Sequence, residues 1–264
     1  MKRLHIILAI IFFALSAVPV QARQLEYKLV WEDHFDGDVL NAENWWKISR
    51  SRADWNHYMS ACPDVYELKD GRLRLFAKPN DGLEPADTAK YLTGGITTLR
   101  KRSITYGKIE VKVRINGGQS TWPAVWLMPV DKKNWEYPRR AEIDILECMH
   151  RNSYVYQTVH TYYTDELKEL QNPPYQAKAN IRMGEYNVYT LEILPEELIF
   201  SVNGNVSFSY PRLEDAPEGQ FPFGVESYLM IDMQLGASWM KPIDDSTLPA
   251  WMDVDYVKCY DYVP

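Results

Sequence analysis

Three carboxylates fall within six positions at Glu142-Ile143-Asp144-Ile145-Leu146-Glu147. The acid-apolar alternation at its start has the period of a strand with one wet and one buried face. Glu142 and Asp144 then share the wet face, and Ile143 and Ile145 point into a core. Strict alternation would send Glu147 to the buried side, where an unpaired carboxylate is costly. A one-residue bulge at Ile145-Leu146 restores the phase and returns Glu147 to the face of the other two. Glu142 and Glu147 are then four strand steps apart, roughly 13 Å between Cα atoms. If both side chains lean inward, their carboxyl groups end roughly 5 Å apart, the separation used for double displacement at an acetal carbon with retention. Asp144 lies between them. The same alternation also describes any solvated strand with an apolar underside, so the rest of the chain has to decide.

The elements that must position this strand are other strands. Leu73–Ala77, Gly107–Arg114 and Tyr189–Ile193 alternate with period two, and Asp70-Gly71, Pro79-Asn80-Asp81-Gly82, Asn116-Gly117-Gly118 and Asn203-Gly204 interrupt the pattern as turns. Leu198–Val202 and Val206–Phe208, joined through Asn203-Gly204-Asn205, read as a tight hairpin. Many short strands without helical crossovers predict an all-β fold, a sandwich of antiparallel sheets in one domain. Thr164–Asn172, stopped by Pro173-Pro174, reads as one short helix or a loop.

At the N-terminus, Lys2 and Arg3 precede an apolar run from Leu4 to about Val18, and Val20-Gln21-Ala22 supplies small residues for cleavage. Residues 1–22 read as a secretory signal peptide, and residues 23–264 as the mature domain. The run is short for a membrane span, and no Cys stands at the cleavage point to take a lipid. Secretion to the periplasm or the extracellular space is expected, with no membrane attachment after cleavage and a monomeric chain.

The formal net charge of −7 disfavours nucleic acid as a partner. Nine Trp and 18 Tyr supply flat apolar faces of the kind that stack on sugar rings. Cys62, Cys148 and Cys259 allow one disulfide at most, and buried free thiols are expected instead.

With these segments assembled, the chain resembles glycoside hydrolase family 16. Glu142–Glu147 resembles that family's bulged active-site motif, Leu29–Gly37 its N-terminal strand, and Gly94–Thr98 through Tyr106–Glu110 the segment before the cleft. Trp122-Pro123-Ala124-Val125-Trp126-Leu127-Met128 resembles the tryptophan strand before the catalytic one, and Val254–Tyr260 the closing strand. The resemblance implies a β-jelly-roll of two curved antiparallel sheets, concanavalin-like, with a concave substrate cleft. It implies a secreted endo-acting retaining β-glycosidase of gluco- or galacto-configured glycans. Glu142 matches the nucleophile, Glu147 the acid/base, and Asp144 the residue that tunes the pair. A transglycosylase and a non-catalytic sugar-binding sandwich are the alternatives.

The resemblance extends to binding residues. Trp122 and Trp126, four apart and so on one side of their strand, match sugar platforms, and Trp239 a cleft-edge tryptophan. His160 resembles a cleft histidine that contacts the acid/base or the sugar. Arg52, Trp55 and Asn56 stand in a polar loop suited to outer subsites, and Asp232 and Gln234 alternate onto one face. No cofactor or catalytic metal is required. Asp255 is the candidate for a structural Ca²⁺ of the kind some relatives carry, and a salt-bridged strand acid accounts for it equally.

Three stretches depart from the laminarinase pattern: Asp54–Met59, Tyr137-Pro138-Arg139-Arg140-Ala141 where Gly usually precedes the motif, and Ile231–Leu235. They point to a glycan other than plain laminarin, with galactose-containing poly-N-acetyllactosamine chains among the candidates.

Overall fold

The computed structural model describes residues 25–264, so the expected signal peptide at residues 1–22 lies outside the described residues. In chain order the strands begin β1 (Glu26–Asp33), β2 (Trp46–Lys47), β3 (Tyr66–Leu68), β4 (Leu73–Pro79), β5 (Tyr91–Thr93) and β6 (Gly95–Thr97). They continue with β7 (Gly107–Asn116), β8 (Thr121–Pro129), β9 (Glu142–Glu147), β10 (Tyr154–His160) and β11 (Gln176–Asn180). The last five are β12 (Asn187–Ile193), β13 (Glu197–Val202), β14 (Asn205–Pro211), β15 (Ser227–Leu235) and β16 (Ala250–Val263).

The strands form two antiparallel sheets. One runs β14-β13-β12-β7-β16-β4-β3, with β1 added on β16 and β5 on β4; the other runs β11-β10-β9-β8-β15-β6-β2. This is the antiparallel sandwich expected from the strand pattern, in the jelly-roll form that the family resemblance implies. The hairpin closes through Asn203 (φ 52°) and Gly204 (φ 78°), the left-handed pair that a two-residue turn needs to match strand twist. The helical prediction shifts: one turn of helix, α1 (Tyr162–Asp165), begins earlier than expected, because Thr161 and Thr164 form a reciprocal cap at its start.

Alternation decides which side chains make the core. From the seven-stranded sheet, Val125, Leu127, Ile143, Leu229, Ile231, Met233 and Leu235 point inward. They meet Val111, Val113, Leu191, Met252 and Val254 of the other sheet. The opposite residues of β8, β9 and β15 therefore stand together on the outer face. All three cysteines are buried and unpaired, as expected. On the far sheet Asp253, fully buried, accepts from Arg74 at 2.6 Å and Arg114 at 2.5 Å, which ties β4, β16 and β7. Asp255 pairs with Lys112 at 2.6 Å.

The bulge lies where the sequence places it. Against β8, Leu146 pairs Val125 and Asp144 pairs Trp126, leaving Ile145 unmatched. Against β10, Glu147 pairs Tyr156 and Asp144 pairs Thr158, so Ile145 and Leu146 together face Gln157. Both bulge side chains enter the core. The Ile145 carbonyl, taken out of the ladder, accepts from the Gln157 amide at 3.2 Å, and Ser207 Oγ donates to Gln157 Oε1 at 2.6 Å. A buried side-chain amide thus replaces the ladder bond that the bulge removes.

Replacing Gln157 by Leu leaves that carbonyl unpaired. The expected loss is about 1–3 kcal/mol in urea unfolding, the cost of a buried orphaned acceptor. An unchanged midpoint would show that the bulge does not depend on Gln157.

Candidate active site

The outer face of β8, β9 and β15 forms the floor of a cavity of about 380 Å³. Glu142, Asp144 and Glu147 line it together with Trp122, Ala124, Trp126, Tyr228, Met230 and Gln234. Cross-strand register explains the grouping. Asp144 lies opposite Trp126, which lies opposite Met230; Glu147 lies opposite Ala124, which lies opposite Asp232; Trp122 lies opposite Gln234. Ala124, the smallest side chain in this array, leaves room above the floor between Glu147 and Asp232. Trp55, Trp135 and Arg140 reach in from loops. A second cavity of about 420 Å³ shares Trp55, Tyr228 and Met230 with the first and runs on to Trp46 and Arg100. The result is an elongated groove.

The bulge returns Glu147 to the face of Glu142, but that face is drier than the sequence suggested. Asp144 is only 3% exposed. Burial, then the neighbouring Asp144 charge, pushes the Glu147 carboxyl up to about 8, although Trp122 Nε1 donates to Glu147 Oε1 at 2.8 Å and works in the opposite direction. Glu142 is also raised, again by burial and Asp144, against the pull of His160 and Arg140. At neutral pH Glu147 can hold a proton.

His160 pairs across the ladder with Glu142. Its contact is with Asp144 rather than with Glu147: Nε2 lies 3.4 Å from Asp144 Oδ2, and Nδ1 lies 3.2 Å from Asp165. Tyr137 Oη donates to Asp165 at 2.7 Å and Thr164 Oγ1 at 3.1 Å. Burial alone would strip the proton from His160, but the Asp144 and Asp165 carboxylates outweigh it and raise its pKa to about 11. The ligand atoms of Glu142, Asp144 and His160 lie within 4.8 Å of one another. A protonated imidazole donates from both ring nitrogens, so His160 brings a positive charge to the two carboxylates.

The remaining predicted residues divide by position. Trp122 stands beside the carboxylates, with the half-exposed Trp239 ring packed edge-on against it, centroids 5.1 Å apart. Trp126, 7% exposed, forms floor more than platform; it packs edge-on to Trp55 and donates to Asp232 Oδ2 at 2.8 Å. Gln234 reaches the cavity wall and donates to Asp232 Oδ1 at 2.7 Å, and burial pushes Asp232 up to about 7. Asn56 borders the adjoining cavity, yet its amide is engaged within its own loop by Ser51 and Ser49. Arg52 is exposed and lines neither part of the groove.

Residue-by-residue reading missed Arg140, whose Nη2 donates to Glu142 Oε2 at 2.5 Å. It also missed Asp165 and Gln157. The only signal for Arg140 was its place in a stretch that departs from the family pattern.

Because Asp144 raises the Glu147 pKa and Trp122 lowers it, the two substitutions should move it oppositely. Asp144→Asn is expected to bring it below about 8, and Trp122→Phe to raise it, each by roughly one unit. Carboxyl ¹³C NMR titration reads both; a shift of the same sign in the two variants would refute this balance.

Residues 69–258 match the family described as Glycosyl hydrolases family 16. The chain is 31% identical over 237 residues to the keratan-sulfate endo-1,4-beta-galactosidase of Sphingobacterium multivorum, covering 89% of this chain and 55% of that protein. It thus spans about half the length of that relative. The laminarinase from Rhodothermus marinus superposes with a TM-score of 0.80 at 25% identity, covering 92% of this chain and 100% of that one. A structure from work on the endo-acting O-glycanases with which human gut bacteria initiate mucin breakdown superposes at 0.75 with 26% identity, over 88% of this chain and 98% of that one. The jelly roll, the bulged carboxylate strand and a match over most of the chain lead to one conclusion: this protein belongs to glycoside hydrolase family 16.

Proposed function

We propose that the protein is an endo-acting retaining β-glycoside hydrolase. The observation that carries this reading is the cluster of Glu142, Asp144 and Glu147 on one face of a bulged strand in an open, tryptophan-lined groove, with Glu147 held near pKa 8. A groove that continues past the carboxylates on the Trp46 side suits an internal bond of a chain.

In the proposed reaction Glu142 attacks the anomeric carbon, and its carboxylate oxygen forms a bond to C1 as the glycosidic C–O bond breaks. Glu147, protonated, gives its proton to the departing oxygen. It then takes a proton from water, whose oxygen attacks C1 and displaces Glu142. Two displacements at one carbon leave the anomeric configuration unchanged. Asp144 keeps Glu147 protonated by repulsion, and His160 compensates the Asp144 charge so that three carboxylates can share one pocket. Trp122 holds Glu147 in place and, with Trp239, offers apolar ring faces to the sugar.

For the substrate, we favour a galactose-containing lactosamine chain of keratan or mucin type over laminarin. The support is the named activity of the 31% identical relative, together with Arg140, Asp232 and Gln234, which depart from the laminarinase pattern and lie at or beneath the groove. The expected leader at residues 1–22 fits export to where such glycans occur.

The test is incubation of the mature protein, beside Glu142→Gln, with laminarin, lichenan, agarose, keratan and mucin glycans. Oligosaccharides ending in galactose are expected from keratan or mucin, with β configuration in the first product by proton NMR. Glu142→Gln should lose activity by on the order of 10³-fold or more while still binding glycan. Glucose-series products from laminarin would reassign the substrate, and an inverted first product or an active Glu142→Gln would overturn the mechanism.

A further inference from the structure

Arg140 has a geometry that the double-displacement scheme does not by itself require. It enters from the Tyr137–Ala141 stretch just before β9, and its Nη2 sits 2.5 Å from Glu142 Oε2. Its side chain is 32% exposed and that of Glu142 14%, so the pair stands at the cleft wall, partly shielded from solvent. The Tyr137 ring lies 5.9 Å from the guanidinium, and Tyr137 is itself tied to Asp165. Among the described residues the buried Arg140 Nε has no hydrogen-bond partner. The arginine is therefore held by its loop and by Glu142, with one side of its fork spent on a single carboxylate oxygen.

A cation bound to a carboxylate oxygen stabilises the anion more than the ester formed from it. That preference opposes attack by Glu142 and favours its departure. We propose that Arg140 is a positioning residue that makes Glu142 a good leaving group, shortening the life of the covalent intermediate and so favouring hydrolysis over transfer to a second sugar. The inference rests on the double-displacement reading above.

The step balances as follows. In the intermediate, one Glu142 oxygen is bonded to C1, the carboxylate charge is gone and Arg140 has lost its anionic partner. Water then attacks C1, its proton passes to Glu147, and the C1–O bond to Glu142 breaks with its electron pair returning to the carboxylate. Arg140 meets that returning charge with a donor already in place, so no solvent has to reorganise around it. With Oε2 engaged by Arg140, Oε1 is the oxygen that bonds to C1.

The experiment compares the wild type with Arg140→Leu and Arg140→Lys. The substrate is a dinitrophenyl β-glycoside of the oligosaccharide that the wild type releases, so that bond cleavage to the aryl group is fast. For Arg140→Leu we expect kcat to fall about tenfold and KM to fall at least as far, so that kcat/KM holds or rises, as expected when the lost charge-assisted hydrogen bond favoured departure of Glu142 and opposed its attack. A burst of dinitrophenolate and a glycosylated Glu142 peptide in the mass spectrum should accompany it. An added acceptor sugar should restore turnover and give longer products. Arg140→Lys should recover part of kcat.

A fall in kcat/KM at unchanged KM, with no burst and no adduct, would overturn the proposal and leave Arg140 a structural or binding residue. If Glu142→Gln remains active, the double-displacement reading itself fails; if Glu142→Gln is dead while Arg140→Leu shows no adduct, only this inference fails. Circular dichroism and melting of both Arg140 variants separate misfolding from these outcomes.

Discussion

The structure turns on a β-bulge. A regular strand would place Glu142 and Glu147 on opposite faces, one in the groove and one among Val125, Leu127 and Ile143. The extra residue at Ile145 brings the second glutamate back. It also drives Ile145 and Leu146 together into the core, where hydrophobic burial holds the irregular backbone. What makes this durable is Gln157, buried and opposite the bulge, which bonds the carbonyl that the ladder cannot reach. Chemistry on one face therefore depends on a polar side chain beneath the other.

Placing three carboxylates in one pocket carries an electrostatic cost that the surroundings only partly offset. His160, protonated between Asp144 and Asp165, and Arg140, bonded to Glu142, bring two positive charges to the cluster. Among the described residues Glu147 has no ion-pair partner and its one side-chain donor is the neutral Trp122 indole, so it is the group that retains a proton. Because the Glu147 and His160 pKa values are raised on folding, both contribute stability at low pH. The Glu147 part is lost as pH rises from its ordinary range through about 8, and the His160 part as pH rises through about 11. The site is thus a place where folding stability is given up for a usable acid.

The groove itself is built from sheet periodicity and loops in different proportions. β8, β9 and β15 supply a rigid floor because each strand buries its alternate residues in the core. Trp55, Trp135, Trp239 and Arg140 come from connections between strands, where change does not disturb the fold. The departures from the laminarinase pattern lie in such connections, except Asp232 and Gln234, which stand within β15 itself. Those two form a small buried network with Trp126 under the groove, so the floor as well as the rim differs.

Much of this was legible in sequence. Alternation gave the strands, Asn203-Gly204 gave the hairpin, and the phase break in Glu142–Glu147 gave the bulge, because side-chain direction in a strand is a local property of period two. The shared faces of Trp122 with Trp126 and of Asp232 with Gln234 followed from the same rule. Local rules could not say that Asp144 is buried, that Asn56 spends its amide on its own loop, or that His160 meets Asp144 instead of Glu147. Those outcomes depend on which strand lies beside which, and on where a loop end such as Arg140 comes to rest. Pairing partners such as Gln157 and Ser207, fifty residues apart, are chosen by the packing of two sheets, and only the tertiary structure brings them together.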